Sequence, residues 1–393
     1  MNIAVIGYGN RGRCISDILL KLNRDIRLTA INDTNLDTVQ AALQERSLTP
    51  NLYENVDEML DKEQLDGVII GTRCSLHTEM AIKVLQRRIP LVLEKPVATN
   101  MEDLLALKQA YESSGTEVAV PFSLRLSNLG RAAKRILDSG RLGAIEHVQV
   151  INNVSYGNVY FQGWYRDENE TGGLFLQKAT HDFDMINFML GLQPTQLCAM
   201  KAKQVFKGNK PAKLKCGNCE EQYSCPESAT LHRLRGEPAH HDMCCFAVDT
   251  GNEDSGSAII EYESGMHAVY SQNFYVRKKA GARTFRFLGV EGTMEFDYFT
   301  SQIKVFMHHE DHVEIHDISS SGDEHGGGDV ILCENFIEMM QGGRSKTPLD
   351  AGLISVLMCL KAKEASITNT YQEIKWLAKQ DGYSYKLQEE RDN

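Results

Sequence analysis

The stretch from Asn2 to Asp33 constrains this chain more than any other. Asn2-Ile3-Ala4-Val5-Ile6 is an apolar, β-branched run. Gly7-Tyr8-Gly9-Asn10-Arg11-Gly12 follows at once, and Ile15, Ile18, Leu19 and Leu22 then recur at helical spacing. Strand, glycine turn and helix in this order form a dinucleotide loop. Gly7 allows the tight turn, Gly9 lets backbone approach a pyrophosphate, and Gly12 lets the helix pack closely on the strand. The helix start offers unpaired N–H groups and positive dipole to phosphates. A second strand, 26–31, ends at Asp33, about 20 residues past Gly12, where an acid accepts hydrogen bonds from ribose hydroxyls. A carboxylate there repels a 2′-phosphate, so NAD is favoured over NADP. Tyr8, Asn10 and Arg11 fill the loop and join the expected cofactor-binding set.

Strands and helices keep alternating to about residue 121. Apolar runs at 67–70, 90–93 and 117–120 read as strands, and 35–44, 75–86 and 101–111 as helices. This pattern predicts a parallel sheet and a Rossmann dinucleotide-binding domain over residues 1–121. In such a sheet ligands bind beyond the carboxyl ends of the strands. Thr72 and His77 follow one strand end, and His77 is expected to line the nicotinamide pocket. Glu94-Lys95-Pro96 follows another, so Lys95 is placed to touch a hydroxyl or carbonyl as hydride leaves or arrives.

Residues 122–393 read as a second domain. Runs at 145–154, 195–202, 256–262, 267–274, 284–288 and 292–297 largely alternate apolar and polar residues, as antiparallel strands buried on one side do. Trp164 and Arg166 pair an aromatic ring with a cation, a combination suited to sugars. A helix starting near Gln177 carries Lys178, His181 and Asp182. His181 is the natural base there, since an imidazole titrates at about 6.5. Amphipathic helices are expected over 332–340 and 353–366.

Glycines 7, 9 and 12 with Asp33, His77, Glu94-Lys95-Pro96, Gly172-Gly173 and His181-Asp182 together resemble the Gfo/Idh/MocA oxidoreductases. The resemblance covers most of the chain. It implies the α/β class, with an N-terminal Rossmann domain and a C-terminal α/β domain built on a large, open, mostly antiparallel sheet. It also implies hydride chemistry with NAD on a sugar, inositol or related polyol, and pairing of copies through the open sheet face into a homo-oligomer. Lys95 then touches the reacting hydroxyl, and the Lys95–Pro96 peptide is cis. Arg125 matches a position that holds substrate or the domain junction. The run beginning at His325 resembles a turn that approaches the cleft. The family usually carries Asp four residues before the histidine; here Gln177 stands there, able to orient a ring but unable to take a proton. Two other readings stay open: a glycosidase using tightly bound NAD through transient oxidation and elimination, and a non-catalytic NAD-sensing protein.

Cys216, Cys219 and Cys225 lie in a polar insert near 207–245. Their spacing suits a structural zinc, with Cys244 as fourth ligand and Cys245, His232, His240 or His241 as alternatives. The net charge of −11 excludes a basic nucleic-acid surface. No apolar stretch approaches a membrane span. Met1 runs directly into the first strand with no signal-like segment, so the expected location is the cytoplasm.

Overall fold

Residues 1–239, 241–318 and 324–376 are described by a computed structural model. The first sheet is parallel, with order β3-β2-β1-β4-β5-β6. Its strands are β1 (Asn2–Ile6), β2 (Arg27–Asn32), β3 (Asn51–Tyr53), β4 (Gly67–Ile70), β5 (Leu91–Leu93) and β6 (Val118–Ala119). The intervening helices are α1 (Asn10–Leu22), α2 (Leu36–Gln44), α3 (Val56–Lys62), α4 (His77–Gln86) and α5 (Met101–Ser114). The central strands are apolar throughout because helices cover both faces of the sheet; Val68, Ile69, Ile70, Leu91, Val92 and Leu93 are all fully buried. The strand order reverses between β1 and β4, and a crevice opens beyond their carboxyl ends, where Gly7 and Thr72 face each other. β3 and α3 are absent from the sequence expectation. The Asn51–Tyr53 strand is short and partly exposed, and Val56–Lys62 is barely two turns long.

The chain then forms α6 (Ser123–Leu126), α7 (Asn128–Asp138), β7 (Ile145–Asn153), α8 (Val159–Gln162), α9 (Glu168–Thr171) and α10 (Thr180–Leu190), a π turn over Phe175–Ala179 leading into the last. Next come β8 (Pro194–Ala202), α11 (Ala229–Leu234), β9 (Ser255–Tyr262), β10 (His267–Asn273), β11 (Ala282–Gly289), β12 (Gly292–Asp297), β13 (Gln302–Met307) and β14 (Val313–Asp317). The described residues end with α12 (Gly328–Met340), α13 (Leu349–Thr368) and β15 (Gln372–Glu373). The second sheet has nine strands in the order β14-β13-β12-β11-β7-β10-β9-β8-β15. Every pair is antiparallel except β7 with β10. The expected α/β architecture is therefore present, with a mixed second sheet.

Alternation decides which face of this sheet is buried. Ala258, Ile260 and Tyr262 of β9 point inward with Ala268 and Tyr270 of β10 and Phe285 and Phe287 of β11. They pack beneath α10 and α13. On the other face Ile151, Ile259, Val269 and Met200 stay open, the last 75% exposed. Helix α13 touches both β8 and α5, so it joins the two sheets. Helix α12 returns to the first sheet instead: Leu332, Cys333 and Phe336 are buried among Ile15, Leu19 and Ile69. Among the described residues no helix is long and apolar enough to cross a membrane.

Candidate active site

The dinucleotide loop carries the geometry its glycines imply. Gly7 has φ +83°, and a side chain there would sit 2.7 Å from the Thr72 amide nitrogen. At Gly12 a Cβ would meet the Gly7 carbonyl oxygen at 2.4 Å. Gly9 differs: a Cβ would meet only the Gly71 oxygen, at 3.9 Å, so the space above it is open. Asp33 is fixed by the Tyr8 amide, which donates to Oδ2 at 2.8 Å, and by the Asn35 amide, which donates to Oδ1 at 2.9 Å. Its remaining lone pairs can accept ribose hydroxyls. An open glycine at a helix start and a braced carboxylate fit a nicotinamide dinucleotide. A Gly12→Ala change should therefore weaken NADH binding by more than tenfold in a fluorescence titration. Undiminished affinity would mean that the loop does not seat the pyrophosphate.

Arg11 does more for the scaffold than its place in the loop suggests. Its Nε donates to Glu94 Oε1 at 2.7 Å, and its two terminal nitrogens reach Asp329 at 2.9 and 3.2 Å. Ser123 also donates to Asp329. The loop helix, the end of β5, and α12 are thus tied by one guanidinium fork against two buried carboxylates. Asn10 accepts from the Arg13 side chain at 2.9 Å, and the Tyr8 ring is buried.

Lys95 emerges beyond β5 after Glu94, and the Lys95–Pro96 peptide is cis, as the resemblance implies. Its Nζ donates to the Gln177 backbone carbonyl at 3.1 Å. That carbonyl lies in the π turn, where the ordinary i→i+4 helix ladder is displaced. Burial lowers the Lys95 ammonium to about 8, aided by the like charge of Lys178 and opposed by Glu94. Among the described groups it is a cation on the cofactor side of the sheet whose charge is easily lost, and it titrates within reach of ordinary working pH.

Three of the expected residues around it have buried partners of their own. Gln177 does not orient His181: its side-chain amide is buried and donates to the Thr171 carbonyl at 3.1 Å and to the Cys74 sulfur at 3.4 Å. His77 lies between two backbone carbonyls. It is buried, with Nδ1 2.7 Å from the Pro96 carbonyl and Nε2 3.2 Å from the Thr72 carbonyl. Burial lowers its pKa, and a neutral ring has a single N–H to share between the two. It therefore positions the Lys95 turn against the Thr72 loop. Asp182 gathers donors from β7, β10 and β11. Fully buried, it accepts from Asn152 at 2.7 Å, from Tyr270 at 2.9 Å and from Arg283 at 2.6 and 2.8 Å.

Arg125 is buried, ion-paired with Asp184, and lies over the Phe188 ring, both on α10. Burial raises the Asp184 carboxyl to about 6 against the pull of Arg125. Trp164 stacks on Tyr165 and lies under the Arg73 guanidinium, 4.1 Å from its ring centre. This brings it beside the loop after β4. Arg166 pairs with Asp249 at 2.5 Å. His181 is partly exposed, with its ring edge against Phe122. Lys178 donates to the Tyr156 hydroxyl at 2.6 Å. The His325 side chain and His240 lie outside the described residues.

Tyr156, Asn152 and Arg283 line a cavity of about 490 Å³ beneath α6 and α7, together with Ser127, Asn128 and Tyr298. Sequence reasoning passed over all three of the first group. Tyr156 and Asn152 stand at the end of β7, where a local signal was available; Arg283 sits in an ordinary alternating strand. Another cavity, of about 410 Å³, lies at the far edge of the second sheet between Gln193 and Trp376, away from Lys95 and His181.

The insert holds Cys216, Cys219, Cys225 and Cys244 as free thiols within electrostatic reach of one another. Burial raises the Cys216, Cys225 and Cys244 thiols, and Cys244 feels the charges of Cys216, Cys219 and Cys225. Yet among the described residues no group of three or more His, Cys, Asp or Glu is arranged to hold a metal ion.

Comparison with known proteins agrees with this geometry. A family model described as "Oxidoreductase family, NAD-binding Rossmann fold" matches residues 1–122, and "GFO/IDH/MocA C-terminal domain" matches residues 131–295. The chain is similar to the Bacillus subtilis protein YteT, an oxidoreductase by name, with 25% identity over 85% of this chain and 88% of that one. It is also 25% identical to scyllo-inositol 2-dehydrogenase (NAD(+)) of B. subtilis over 49% of this chain and 55% of that protein. It thus spans about half the length of that inositol dehydrogenase. Among solved structures, levoglucosan dehydrogenase in complex with NADH and levoglucosan aligns with a TM-score of 0.77 at 16% identity, covering 96% of this chain and 100% of that one. At that identity the likeness speaks for the fold alone.

Proposed function

The chain belongs to the Gfo/Idh/MocA oxidoreductases, and from that premise we propose that it is an NAD-dependent dehydrogenase acting on a hydroxyl carbon of a sugar, an inositol or a related polyol. One observation carries this reading. Lys95 is held beyond β5 on the cofactor side, with a depressed pKa and its Nζ aimed toward the π turn that leads into His181. A bound nicotinamide supplies the hydride acceptor or donor; the protein supplies position and charge. Lys95 holds the substrate oxygen and stabilises negative charge developing on it. His77 and Glu94 set the Lys95 turn, since His77 meets Pro96 and Glu94 Oε2 accepts the Lys95 amide at 3.2 Å. Asn152 and Arg283 offer a donor and a cation to the remaining hydroxyls. The relatives named as inositol 2-dehydrogenases support this substrate class.

NAD rather than NADP follows from Asp33. In an Asp33→Ala variant the affinity for NADH should fall about tenfold, the loss of a charge-assisted hydrogen bond of ~1.5 kcal/mol, while NADPH affinity should rise or hold. Parallel fluorescence titrations decide it, and an unchanged NADH:NADPH ratio would count against Asp33 as the ribose acceptor. The function itself is tested by following NADH at 340 nm against a panel of inositols, aldoses and aryl glycosides. Stoichiometric NADH formation supports the dehydrogenase; aglycone release without it would move the assignment to a glycosidase. The open face bearing Ile151, Ile259 and Val269 supports pairing of two copies through the second sheet.

A further inference from the structure

Lys178 and Tyr156 form a pair that the reading above does not use. Lys178 sits in the π turn directly after Gln177, and its side chain is buried. It donates to the Tyr156 hydroxyl at 2.6 Å and lies over the rings of Tyr156 and Tyr160, at 4.7 and 5.3 Å from their centres. Tyr156 itself is 52% exposed and lines the 490 Å³ cavity with Asn152 and Arg283. A tyrosine with its ring open to a cleft and its hydroxyl on a buried ammonium is arranged for proton transfer: the cation stabilises the oxyanion while the open side admits a substrate hydroxyl.

We propose that Tyr156, held by Lys178, is the group that takes or gives the substrate proton, while Lys95 holds the same oxygen. This rests on the dehydrogenase reading. In the oxidative direction the substrate O–H bond breaks and its proton passes to the Tyr156 oxygen. A bound oxidised nicotinamide would supply the hydride acceptor, so that loss of the C–H bond with its electron pair and loss of the proton to Tyr156 together would leave the carbon–oxygen double bond. The reverse direction returns the proton from the Tyr156 hydroxyl to the carbonyl oxygen.

The surroundings favour an oxyanion. Lys178 in the π turn is the largest influence lowering the Tyr156 pKa; burial opposes it, and Arg283 of β11 and Lys95 beyond β5 add to the lowering. Tyr160 of α8 faces the same ammonium, but burial raises it. Asp182 stands behind Arg283 and neutralises part of that cation. Tyr8, Tyr111, Tyr165, Tyr262, Tyr270 and Tyr298 are all raised by burial, so an early-ionising phenol is separable from them. Gln177, standing where a proton-relaying carboxylate is expected, binds Thr171 and Cys74 instead. A proton route through Tyr156 does not need that missing carboxylate.

The first test needs no substrate. Tyrosinate absorbance near 295 nm is titrated in the full chain. One phenol is expected to ionise below the ordinary ~10. That phase is expected to vanish in Tyr156→Phe and to move to higher pH in Lys178→Met. Absence of an early phase, or its survival in Tyr156→Phe, overturns the proposal. The second test is turnover with NAD and a reactive polyol. Tyr156→Phe should lower kcat by about 10²–10⁴-fold, leave the KM for NAD within twofold, and remove the acidic limb of the pH profile. Full kcat with an unaltered profile overturns this assignment alone. A wild-type protein that binds no NADH overturns the dehydrogenase reading and this assignment with it. Thermal melts separate these outcomes from misfolding: Tyr156→Phe leaves the buried Lys178 ammonium without its hydroxyl acceptor, so a lower midpoint with a still cooperative transition is expected.

Discussion

Lys95→Met will reduce turnover by on the order of 10³-fold while leaving NADH binding nearly intact. Methionine keeps the length of the buried stem and removes the ammonium that would meet charge growing on the substrate oxygen. Loss of one well-placed donor of this kind costs about 10²–10³ in kcat. Its buried setting, which favours strong electrostatics, places the expectation at the upper end. The fall should lie in kcat more than in the KM for NAD, because the proposed dinucleotide contacts are at Gly9 and Asp33, not at Lys95. Stopped-flow hydride transfer with saturating cofactor reads it, and a variant within fivefold of wild type would remove Lys95 from the chemistry. The same side chain sets a pH dependence. Its pKa is pushed down to about 8 by burial and by Lys178, so the ammonium is present at pH 7 and is lost as pH rises through 8. The alkaline limb of activity should fall there. Lys178→Met removes the like charge and should shift that limb upward.

Arg11→Leu should be among the most destabilising single changes at this site. Glu94 and Asp329 are almost inaccessible, and Arg11 is their shared cation. Removing one member of such a network strands buried charge at a cost of roughly 3–5 kcal/mol. Arg11 itself is 28% exposed, which lets water reach the gap and argues for the lower end. A melting midpoint several degrees below wild type is expected, with weaker NADH binding because the β5 end and the loop helix lose their tie. Asp329→Asn keeps the shape and one acceptor and should cost less than half as much. An Arg11→Leu protein that melts with the wild type would show that the network is not needed for stability.

The parts of this molecule legible from sequence are those whose signals are local. β1, the glycine turn, α1 and Asp33 lie within one short stretch, and each residue's reason is contained in that stretch. The position of Lys95 beyond β5 was legible because ligand crevices in a parallel sheet open at the carboxyl ends of its strands. The second sheet shows the limit. Alternation marked β9 through β12, but β13 and β14 follow exposed turns, and β14 carries Glu314 and His316 among its few apolar residues. Which strands pair is a matter of chain return, so the parallel contact between β7 and β10 has no local mark. The helix with His181 misled for a different reason. Helical spacing of 3.6 residues stacks Gln177 beneath His181, but the π turn over Phe175–Ala179 bonds five residues apart and breaks that stacking. Arg11 and Asp329 are separated by 318 positions, and no spacing rule connects them.

Helix α12 has a consequence for anyone who would treat the cofactor module as a portable cassette. Residues 1–121 read as a self-sufficient unit, yet Leu332, Cys333 and Phe336 complete the apolar packing around Ile15, Leu19 and Ile69, and Asp329 completes the charge balance of Arg11. A transplant cut at residue 121 would carry the glycine loop with its outer helix uncovered and Glu94 still paired to an arginine missing its second carboxylate. Grafting this nucleotide unit onto another scaffold, or permuting the chain, needs the segment 328–340 carried along as a second piece. What looks like a leading module followed by a separate body is closed by thirteen residues from near the other end.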